Sequence, residues 1–183
     1  MSICIELAET LQDFDDVFVL RHQVLVAEEG YVSPVRGGRI VDRFDAAPNV
    51  VTVLARVDGE LVGSIRMMER TADGTSADDY FDFQPHLVGI ERVGALSHLV
   101  VRQAYRHIPG LTFSMFALCY AWASERGLTH ITGAANPVIV SRFIESGWKR
   151  LGAVFYDASH SLWVQPILLD MSDLSERFGH SVE

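Results

Sequence analysis

The sequence is poor in the features that mark secreted and membrane-spanning proteins. It has two cysteines in 183 residues, too few for a disulfide scaffold, and both Cys4 and Cys119 lie in apolar runs, which predicts buried thiols. No apolar run approaches the roughly 20 residues of a membrane span, and the N-terminus lacks the basic and apolar regions of a signal peptide. These absences predict a cytoplasmic protein without membrane contact.

Positive charge is also scarce. Fifteen Lys and Arg residues stand against 24 Asp and Glu residues, and a net charge of −9 excludes a general nucleic-acid binder, which needs clustered positive charge. The segment Glu91–Arg150 is the exception, because its seven basic and three acidic residues give it a charge of +4. This segment is predicted to bind a small anionic ligand or an acidic partner.

The length fits one ordinary domain, and 49% hydrophobic residues suffice for a core without metals or disulfides. We predict a single domain over residues 1–170 and a polar tail over residues 171–183, which is rich in Ser, Asp and Glu. The cysteines have no metal-ligand spacing, so no metal site is predicted.

A short strand over residues 3–7 and a helix capped by Thr10 are predicted to open the chain. Apolar residues recur at helical spacing along this helix, namely Leu11, Phe14, Phe18 and Leu25. Arg21 falls on the same stripe. A charge on an apolar helix face must find a partner or a ligand, because an unpaired buried charge is costly.

The next segment, residues 30–49, is a polar loop with Gly and Pro, too long for a simple connection and therefore predicted to be functional. Two strands, 50–57 and 61–68, then flank Asp58-Gly59, the signal of a tight antiparallel hairpin. Arg66 is a second charge within a strongly β-forming segment. Strand alternation places it on the opposite face from Ile65.

The rest of the chain alternates strands and helices. The predicted elements are a strand over 93–101, a helix from Pro109-Gly110 to about Arg126, a strand over 129–133, a helix over 137–146, and strands near Val154 and over 161–168. On the first of these helices, an apolar stripe is predicted at Leu111, Met115, Leu118 and Trp122. Hairpins mixed with strand–helix–strand units predict an α+β fold around a mixed sheet.

The segment 99–151 resembles the thioester-binding half of the GNAT superfamily of N-acetyltransferases. The resemblance rests on Val101, Tyr105-Arg106, Asn136, Phe143 and Gly147-Trp148. It implies a twisted mixed sheet of about seven strands, flanked by helices and splayed between the fourth and fifth strands. In such a fold the splayed strand holds an amide-rich pantetheine arm, and free N–H groups at the next helix N-terminus bind its phosphates. The residues that this implies for the donor are Leu99, Val100, Val101, Arg102, Arg106, Gly110 and Asn136.

A second resemblance covers the N-terminal half. The pattern Arg21, Tyr31, Asp42, Phe44-Asp45 and Arg66 is similar to the acyl-homoserine-lactone synthases and the related long-chain N-acyl amino acid synthases. It implies that Arg21, Tyr31, Asp42, Asp45 and Arg66 form the site of the amine substrate. The alternative interpretation of the charged residues is a structural ion-pair network that pins the loop.

Three positions depart from the synthase pattern. Ile40 and Ala95 stand where the synthases carry Glu, which weakens a claim for S-adenosylmethionine, and His98 stands where they carry Arg. Attack of an amine on a thioester needs a path for the ammonium proton, and His has a suitable pKa. His98 is therefore the candidate base and Glu91 the reserve, although a strand His is also typical of a packed core residue. Phe143 replaces the Tyr that protonates the leaving thiolate in many relatives and has no proton to give.

The resemblances imply an N-acyltransferase that moves an acyl group from a thioester to the amine of a small, amino-acid-like acceptor by direct attack. The donor would be acyl-CoA or the acyl-phosphopantetheine of an acyl carrier protein, and no permanently bound cofactor is implied. Two alternatives remain open from the sequence. One is an ordinary acetyl-CoA-dependent acetyltransferase, and the other is a GNAT-like module that binds a ligand or carrier without catalysis.

Overall fold

The computed structural model describes residues 1–158 and 161–174 and has the predicted α+β architecture around a mixed sheet. Its strands are β1 (Ile3–Leu7), β2 (Val50–Val57), β3 (Glu60–Glu69), β4 (Val93–Val101), β5 (His130–Ala135), β6 (Lys149–Arg150), β7 (Phe155–Asp157) and β8 (Leu162–Asp170). Its α-helices are α1 (Leu11–His22), α2 (Leu111–Glu125) and α3 (Val140–Glu145). The strands form one mixed sheet in the order β1-β2-β3-β4-β5-β8-β6, with β7 paired to β8. In these described ranges, every helix is too short or too polar to reach across a bilayer.

The chain divides into two compact units. The first contains residues 1–67 and 98–122, and the second contains residues 68–97 and the chain from Ala123 onward. The prediction of one domain over residues 1–170 stays a prediction. Of the predicted polar tail, residues 171–174 are described, and Leu174 among them is buried. Residues 175–183 lie outside the described part.

Helix α1 begins as predicted at Thr10 but buries a different face. Thr10 and Asp13 form a reciprocal capping box that satisfies the first free N–H groups of the helix. Leu11 is 91% exposed, so the predicted apolar stripe is wrong. The buried face carries Val17, Leu20, Arg21 and Val24. The prediction that Arg21 lies on the inner face is confirmed.

After α1 the chain continues into a π-helical segment, Gln23–Glu28, which periodicity did not predict. The N–H of Glu29 donates to the carbonyl of Val24 at 2.9 Å, a bond that spans five residues. The N–H of Tyr31 then donates to the carbonyl of Leu25 at 2.8 Å. Such widened turns are rare and are concentrated at functional sites.

The hairpin of β2 and β3 matches the prediction. Asp58 and Gly59 both have positive φ, 49° and 86°, as a two-residue type I′ turn requires. Every residue of β3 from Val62 to Met68 is buried, so both faces of the strand are covered and Arg66 is enclosed.

The two cysteines differ in their surroundings. Cys119 lies on the buried stripe of α2, where the sequence predicted Leu118, and burial raises the pKa of its thiol. Cys4 is exposed, so the prediction of a buried thiol there is wrong. Strand β1 pairs only with β2, which leaves one of its edges open to solvent. The charge of Glu6 raises the pKa of the Cys4 thiol.

In the second unit, β5 pairs antiparallel with β8 over six residue pairs, and β6 and β7 add to β8. The parallel register between β4 and β5 covers three pairs and ends at Ala95 and Thr132. Within the described residues, β4 then continues to Val101 and β5 to Ala135 beyond the end of that register. This short register agrees with the predicted splay between the fourth and fifth strands.

Helix α3 is shorter than the predicted helix over 137–146. The Asn136 carbonyl accepts from the N–H groups of Ile139 and Val140, and its side-chain oxygen accepts from Val138. These bonds form a turn that delays the helix to Val140. Phe143 packs edge-on against Trp148 at 5.8 Å.

Candidate functional site

Two arginines and two aspartates of the first unit form one hydrogen-bonded cluster. Arg21 on α1 donates from Nη1 to both carboxylate oxygens of Asp45, at 2.8 and 2.9 Å. Arg66 on β3 donates from Nη1 and Nη2 to the two oxygens of Asp42, at 2.6 and 2.7 Å. Its Nη1 also donates to Asp45 at 2.8 Å. Asp45 therefore joins the two guanidinium groups.

The loop is folded around these two carboxylates. The Asp42 N–H donates to Asp45 Oδ2 at 2.9 Å, and the Phe44 N–H donates to Asp42 Oδ1 at 2.8 Å. A backbone bond from the Asp45 N–H to the Asp42 carbonyl closes the turn. Asp side chains stabilise turns by accepting from nearby N–H groups in this way. The spacing of three residues thus aims both carboxylates at the two arginines.

The members of the cluster differ strongly in exposure. The Arg21 and Arg66 side chains are 0% exposed and that of Asp45 is 4% exposed. The Asp42 side chain is 30% exposed, and that of His98 is 13% exposed. The structural interpretation of the network therefore holds for the two arginines and Asp45, which tie the loop to α1 and β3. Asp42 and His98 are the members that solvent reaches.

His98 has an unusual backbone for a strand residue. Its φ is 50°, in the left-handed region that few residues other than glycine adopt. Its Nε2 lies 3.9 Å from Asp42 Oδ2. This separation is too long for a hydrogen bond, but a third polar atom could bond to both groups.

Burial and pairing act in opposite directions on the charges of the cluster. Burial disfavours the charged form of Asp42, but the hydrogen bonds and charge of Arg66, helped by His98, hold its pKa to about 2. Burial lowers the pKa of Arg21, and Asp45 opposes that change. Burial also disfavours charge on Arg66, yet Asp42 and Asp45 raise its pKa overall. Asp42 is thus an anion at neutral pH.

The other predicted acceptor-site and base residues are placed less centrally. Tyr31 is half-buried just beyond the π-helical segment, where its N–H bonds to Leu25. Glu91 is exposed and precedes β4 by two residues. Among the described residues, no hydrogen bond or ion pair is found for the Glu91 carboxylate. Its role as a reserve base stays a prediction.

The two arginines predicted to bind the acyl donor, Arg102 and Arg106, form ion pairs with glutamates of the same unit. Arg102 is paired with Glu60, and its Nε lies 3.9 Å from Glu28. Arg106 Nη1 lies 2.5 Å from Glu29 Oε1, while its Nε donates to the Val101 carbonyl at 2.9 Å. The local positive charge predicted from the sequence is therefore largely neutralised here.

The three glutamates were missed by the sequence analysis. Glu28 accepts from the Gln103 N–H at 2.8 Å, and Glu60 accepts from the Tyr105 hydroxyl at 2.6 Å. These partners lie 75 and 45 residues away along the chain, so no local pattern relates them. The one available signal was the pair Glu28-Glu29 at the end of a helix, where negative charge is unfavourable for the helix itself.

The remaining donor residues occupy the end of β4 and the start of α2. The Val100 side chain packs into the core with Leu20 and Val24, so at this residue only the backbone can serve a ligand. Gly110 has a φ of 78° and leads into α2, whose first N–H bonded back within the turn is that of Ser114. The Leu111 N–H donates to the Ile108 carbonyl at 3.4 Å, and the start of a helix generally favours an anion.

The second unit contributes less to the predicted site. The side-chain oxygen of Asn136 accepts a hydrogen bond from the Val138 N–H in the turn before α3. A cleft of about 570 Å³ in this unit is lined by residues of the segment 70–84 and holds none of the predicted site residues. Among the described residues, no group of three metal-ligating side chains occurs.

We predict that Asp45 and Asp42 contribute differently to stability. Asp45→Asn removes the buried carboxylate that both arginines share, and we expect it to lower the free energy of unfolding by about 3–5 kcal/mol. Asp42→Asn should cost about 1–2 kcal/mol, because Arg66 keeps Asp45 and Asp42 is partly exposed. Urea denaturation of both variants checks this order. Equal losses would contradict the assignment of Asp45 as the anchor.

The low pKa of Asp42 also predicts an acid dependence of stability. A carboxyl whose folded pKa lies below its unfolded value stabilises above that unfolded value and loses its contribution as pH falls through the folded pKa. Between pH about 5 and 2, the wild-type protein should therefore lose about 1–2 kcal/mol more than Asp42→Asn. Urea denaturation across this pH range measures the difference. Parallel pH curves for the two proteins would contradict the prediction.

Three solved structures resemble this chain along nearly all of its length. FeeM, an N-acyl amino acid synthase from uncultured soil microbes, has a TM-score of 0.78 at 13% identity, covering 96% of this chain and 94% of that one. LasI, an acyl-homoserine-lactone synthase, has a TM-score of 0.71 at 15% identity and covers 93% and 90%. BjaI, a CoA-dependent acyl-homoserine lactone synthase solved with SAM and isopentyl-CoA, has a TM-score of 0.67 at 22% identity and covers 92% and 83%. At these identities the likeness establishes the fold.

The family follows from a sequence model. No curated protein sequence matches the chain. The model of the N-acyl amino acid synthase FeeM family matches residues 16–154, well over half of the chain, and this range holds every predicted site residue. The chain therefore belongs to the N-acyl amino acid synthase FeeM family and is an N-acyltransferase that uses an acyl donor.

Proposed function

We propose that this protein transfers an acyl group from a phosphopantetheine thioester to the α-amine of an amino acid. The observation that carries the proposal is the position of Asp42 and His98, the partly exposed members of an otherwise buried charge network, with 3.9 Å between Oδ2 and Nε2. An anion and an imidazole at this separation suit an ammonium group that must first be held and then lose a proton.

The acceptor would bind at this gap. A nitrogen atom about 2.8 Å from both Asp42 Oδ2 and His98 Nε2 satisfies ordinary hydrogen-bond distances to each. Asp42 stays ionised at neutral pH because its pKa is held to about 2, so it attracts the ammonium form. The buried anchor of Arg21, Asp45 and Arg66 keeps Asp42 in place and supplies the rigidity that a positioned reaction needs.

The chemical step follows from these positions. His98 accepts one proton from the ammonium, and the free amine attacks the thioester carbonyl carbon. A C–N bond forms, the C–S bond breaks, and the sulfur departs as a thiolate. The nitrogen loses its second proton as the amide forms, and this proton passes through solvent to the thiolate, which gives the free thiol. Phe143 cannot protonate this thiolate, but a thiolate is a good leaving group near neutral pH and needs no acid at that position. A backbone N–H of β4 beyond Ala95 is the candidate donor to the carbonyl oxygen.

The donor would be held by its tether and its phosphate. The early end of the β4–β5 register leaves a stretch of β4 that suits the amides of a pantetheine arm. The N-terminal end of α2, where the helix dipole favours an anion, and the half-exposed Arg106 suit a phosphate. CoA and an acyl carrier protein share this phosphopantetheine, and BjaI is described as CoA-dependent.

The acceptor class is argued from charge. BjaI was solved with SAM, whose sulfonium favours carboxylate neighbours. In this chain Ile40 and Ala95 replace two glutamates of the synthase pattern, and Ala95 is fully buried in β4. The loss of these carboxylates favours an acceptor with one positive charge, such as an ordinary amino acid. Thioesters of CoA and carrier proteins are made in the cytoplasm, which we propose as the compartment.

A donor and acceptor panel tests the proposal. Acetyl, octanoyl and palmitoyl thioesters, each on CoA and on acyl carrier protein, are incubated with the protein and a pool of the 20 amino acids. Mass spectrometry should detect an amino acid whose mass has increased by one acyl group, with free thiol released in equal amount. Asp42→Asn should reduce product formation with every donor. Stabilisation of the protein by CoA without any product would contradict the proposal, as would product from acetyl-CoA alone.

The role of His98 is tested by its replacement. We expect His98→Gln to lower kcat/KM by about 100-fold and to remove the fall in activity at acidic pH, because the base would no longer titrate. The matched control is His130→Gln. His130 also faces an aspartate, with Nε2 3.7 Å from Asp170 Oδ2, but lies outside the proposed site. An unchanged pH profile in His98→Gln would show that water carries the proton instead.

A further inference from the structure

The surface around Arg106 raises a question that the proposed function leaves open. Two arginines, Arg102 and Arg106, face three glutamates, Glu28, Glu29 and Glu60, so this part of the predicted donor site has a net charge of −1. A phosphate-binding surface is expected to be positive. The contacts of the individual glutamates explain why a surface predicted to bind phosphate has a negative net charge.

Two of the glutamates have structural partners besides an arginine. Glu28 accepts from the backbone N–H of Gln103, and Glu60 accepts from the Tyr105 hydroxyl. The carboxylate of Glu29 is different. In the described part of the chain, the contact found for it is its ion pair with Arg106 at 2.5 Å. Its position is fixed by the π-helical turn, through the bond from its own N–H to Val24.

Arg106 has the geometry of a ligand-binding arginine held by an internal anion. Its Nε is committed to the Val101 carbonyl, which fixes the guanidinium beside the end of β4. Its side chain is 43% exposed, so a ligand can still reach it. A guanidinium binds a phosphate through two parallel N–H groups, and Glu29 uses Nη1, one of the donors that a phosphate would need.

We infer that Glu29 competes with the phosphate of the donor for Arg106 and thereby sets the affinity for phosphate-bearing thioesters. This inference rests on the proposed function, because it requires the donor phosphate to bind at Arg106. When the donor is absent, Glu29 occupies the guanidinium, and a bound phosphate displaces it. Glu29 is thus a specificity-determining residue. It weakens every donor that carries the phosphate and has no effect on a thioester that lacks it.

Steady-state kinetics with two donors test the inference. Acyl-CoA carries the phosphates, and the same acyl group on N-acetylcysteamine keeps the thioester and one amide but has no phosphate. We expect Glu29→Gln to lower KM for acyl-CoA by roughly 1.5- to 5-fold, the range for a partly exposed ion pair. The ratio of the two kcat/KM values should rise in favour of acyl-CoA.

The matched control is Glu6→Gln, which makes the same chemical change at another ion pair of the first unit. Glu6 binds Arg56 at 2.8 Å, and Arg56 keeps Asp13 as a partner. This control should leave the ratio of the two donors unchanged. If Glu29→Gln leaves KM for acyl-CoA unchanged, or raises KM for both donors alike, Glu29 is a structural support and the inference is overturned.

Arg106→Gln separates failure of the inference from failure of the proposed donor site. If Arg106 binds the phosphate, its replacement should raise KM for acyl-CoA by about 10-fold and leave the N-acetylcysteamine thioester less affected. If Arg106→Gln changes neither donor, the proposed phosphate site is wrong and the inference falls with it. If Arg106→Gln acts as expected and Glu29→Gln does not, only the inference is overturned.

Discussion

The first unit depends on two guanidinium groups that have no solvent contact. Each must be paired with a carboxylate, because an unpaired buried charge lowers the free energy of unfolding by several kcal/mol. Arg21 comes from helix α1 and Arg66 from strand β3, and Asp45 bonds to both. The matching carboxylates lie on one loop, three residues apart. Loop, helix and strand are therefore fixed together by a requirement of charge, and within the turn at 42–45 the buried Phe44 adds hydrophobic packing beside Arg66. Asp42 gains a fixed position from this arrangement while it remains open to solvent.

The same helix reaches both the proposed acceptor side and the proposed donor side. Arg21, near its end, holds the loop of the acceptor side, and the π-helical turn that follows carries Glu28 and Glu29 to the loop of the donor side. A π-helical turn contains one residue more than an α-helical turn. Without that residue, the two glutamates would be rotated by about 100° around the helix axis, away from the donor-side loop. The extra residue of the π turn is thus what allows one helix to satisfy two loops. This gives a physical reason for a rare and less stable helix type at this position.

Local rules in the sequence were sufficient for several elements. Thr10 gave the start of α1, Asp58-Gly59 gave the hairpin, and the apolar run at 93–101 gave β4, because caps, turns and strands of this kind depend on neighbouring residues. The buried face of α1 was not accessible in this way. Leu11 belongs to the helix stripe by spacing but is exposed, whereas Arg21, on the same predicted stripe, is buried and bonds to Asp45. The partners of Arg102 and Arg106 also could not be predicted, because ion pairs between distant residues leave no periodic trace. The cluster of Arg21, Asp42, Asp45 and Arg66 was predicted only through its resemblance to a known pattern.

The left-handed backbone of His98 has a consequence for the core beneath it. A regular strand sends successive side chains to opposite faces, so a single residue that breaks the pleat reverses the alternation for all that follow. In β4 the adjacent valines 100 and 101 are both buried, and Val100 packs against Leu20 and Val24. The kink that presents an imidazole to the loop therefore also turns a methyl-bearing side chain towards α1. Straightening the strand would displace the side chains of His98 and Val100 together, which couples the position of the imidazole to the packing of the core.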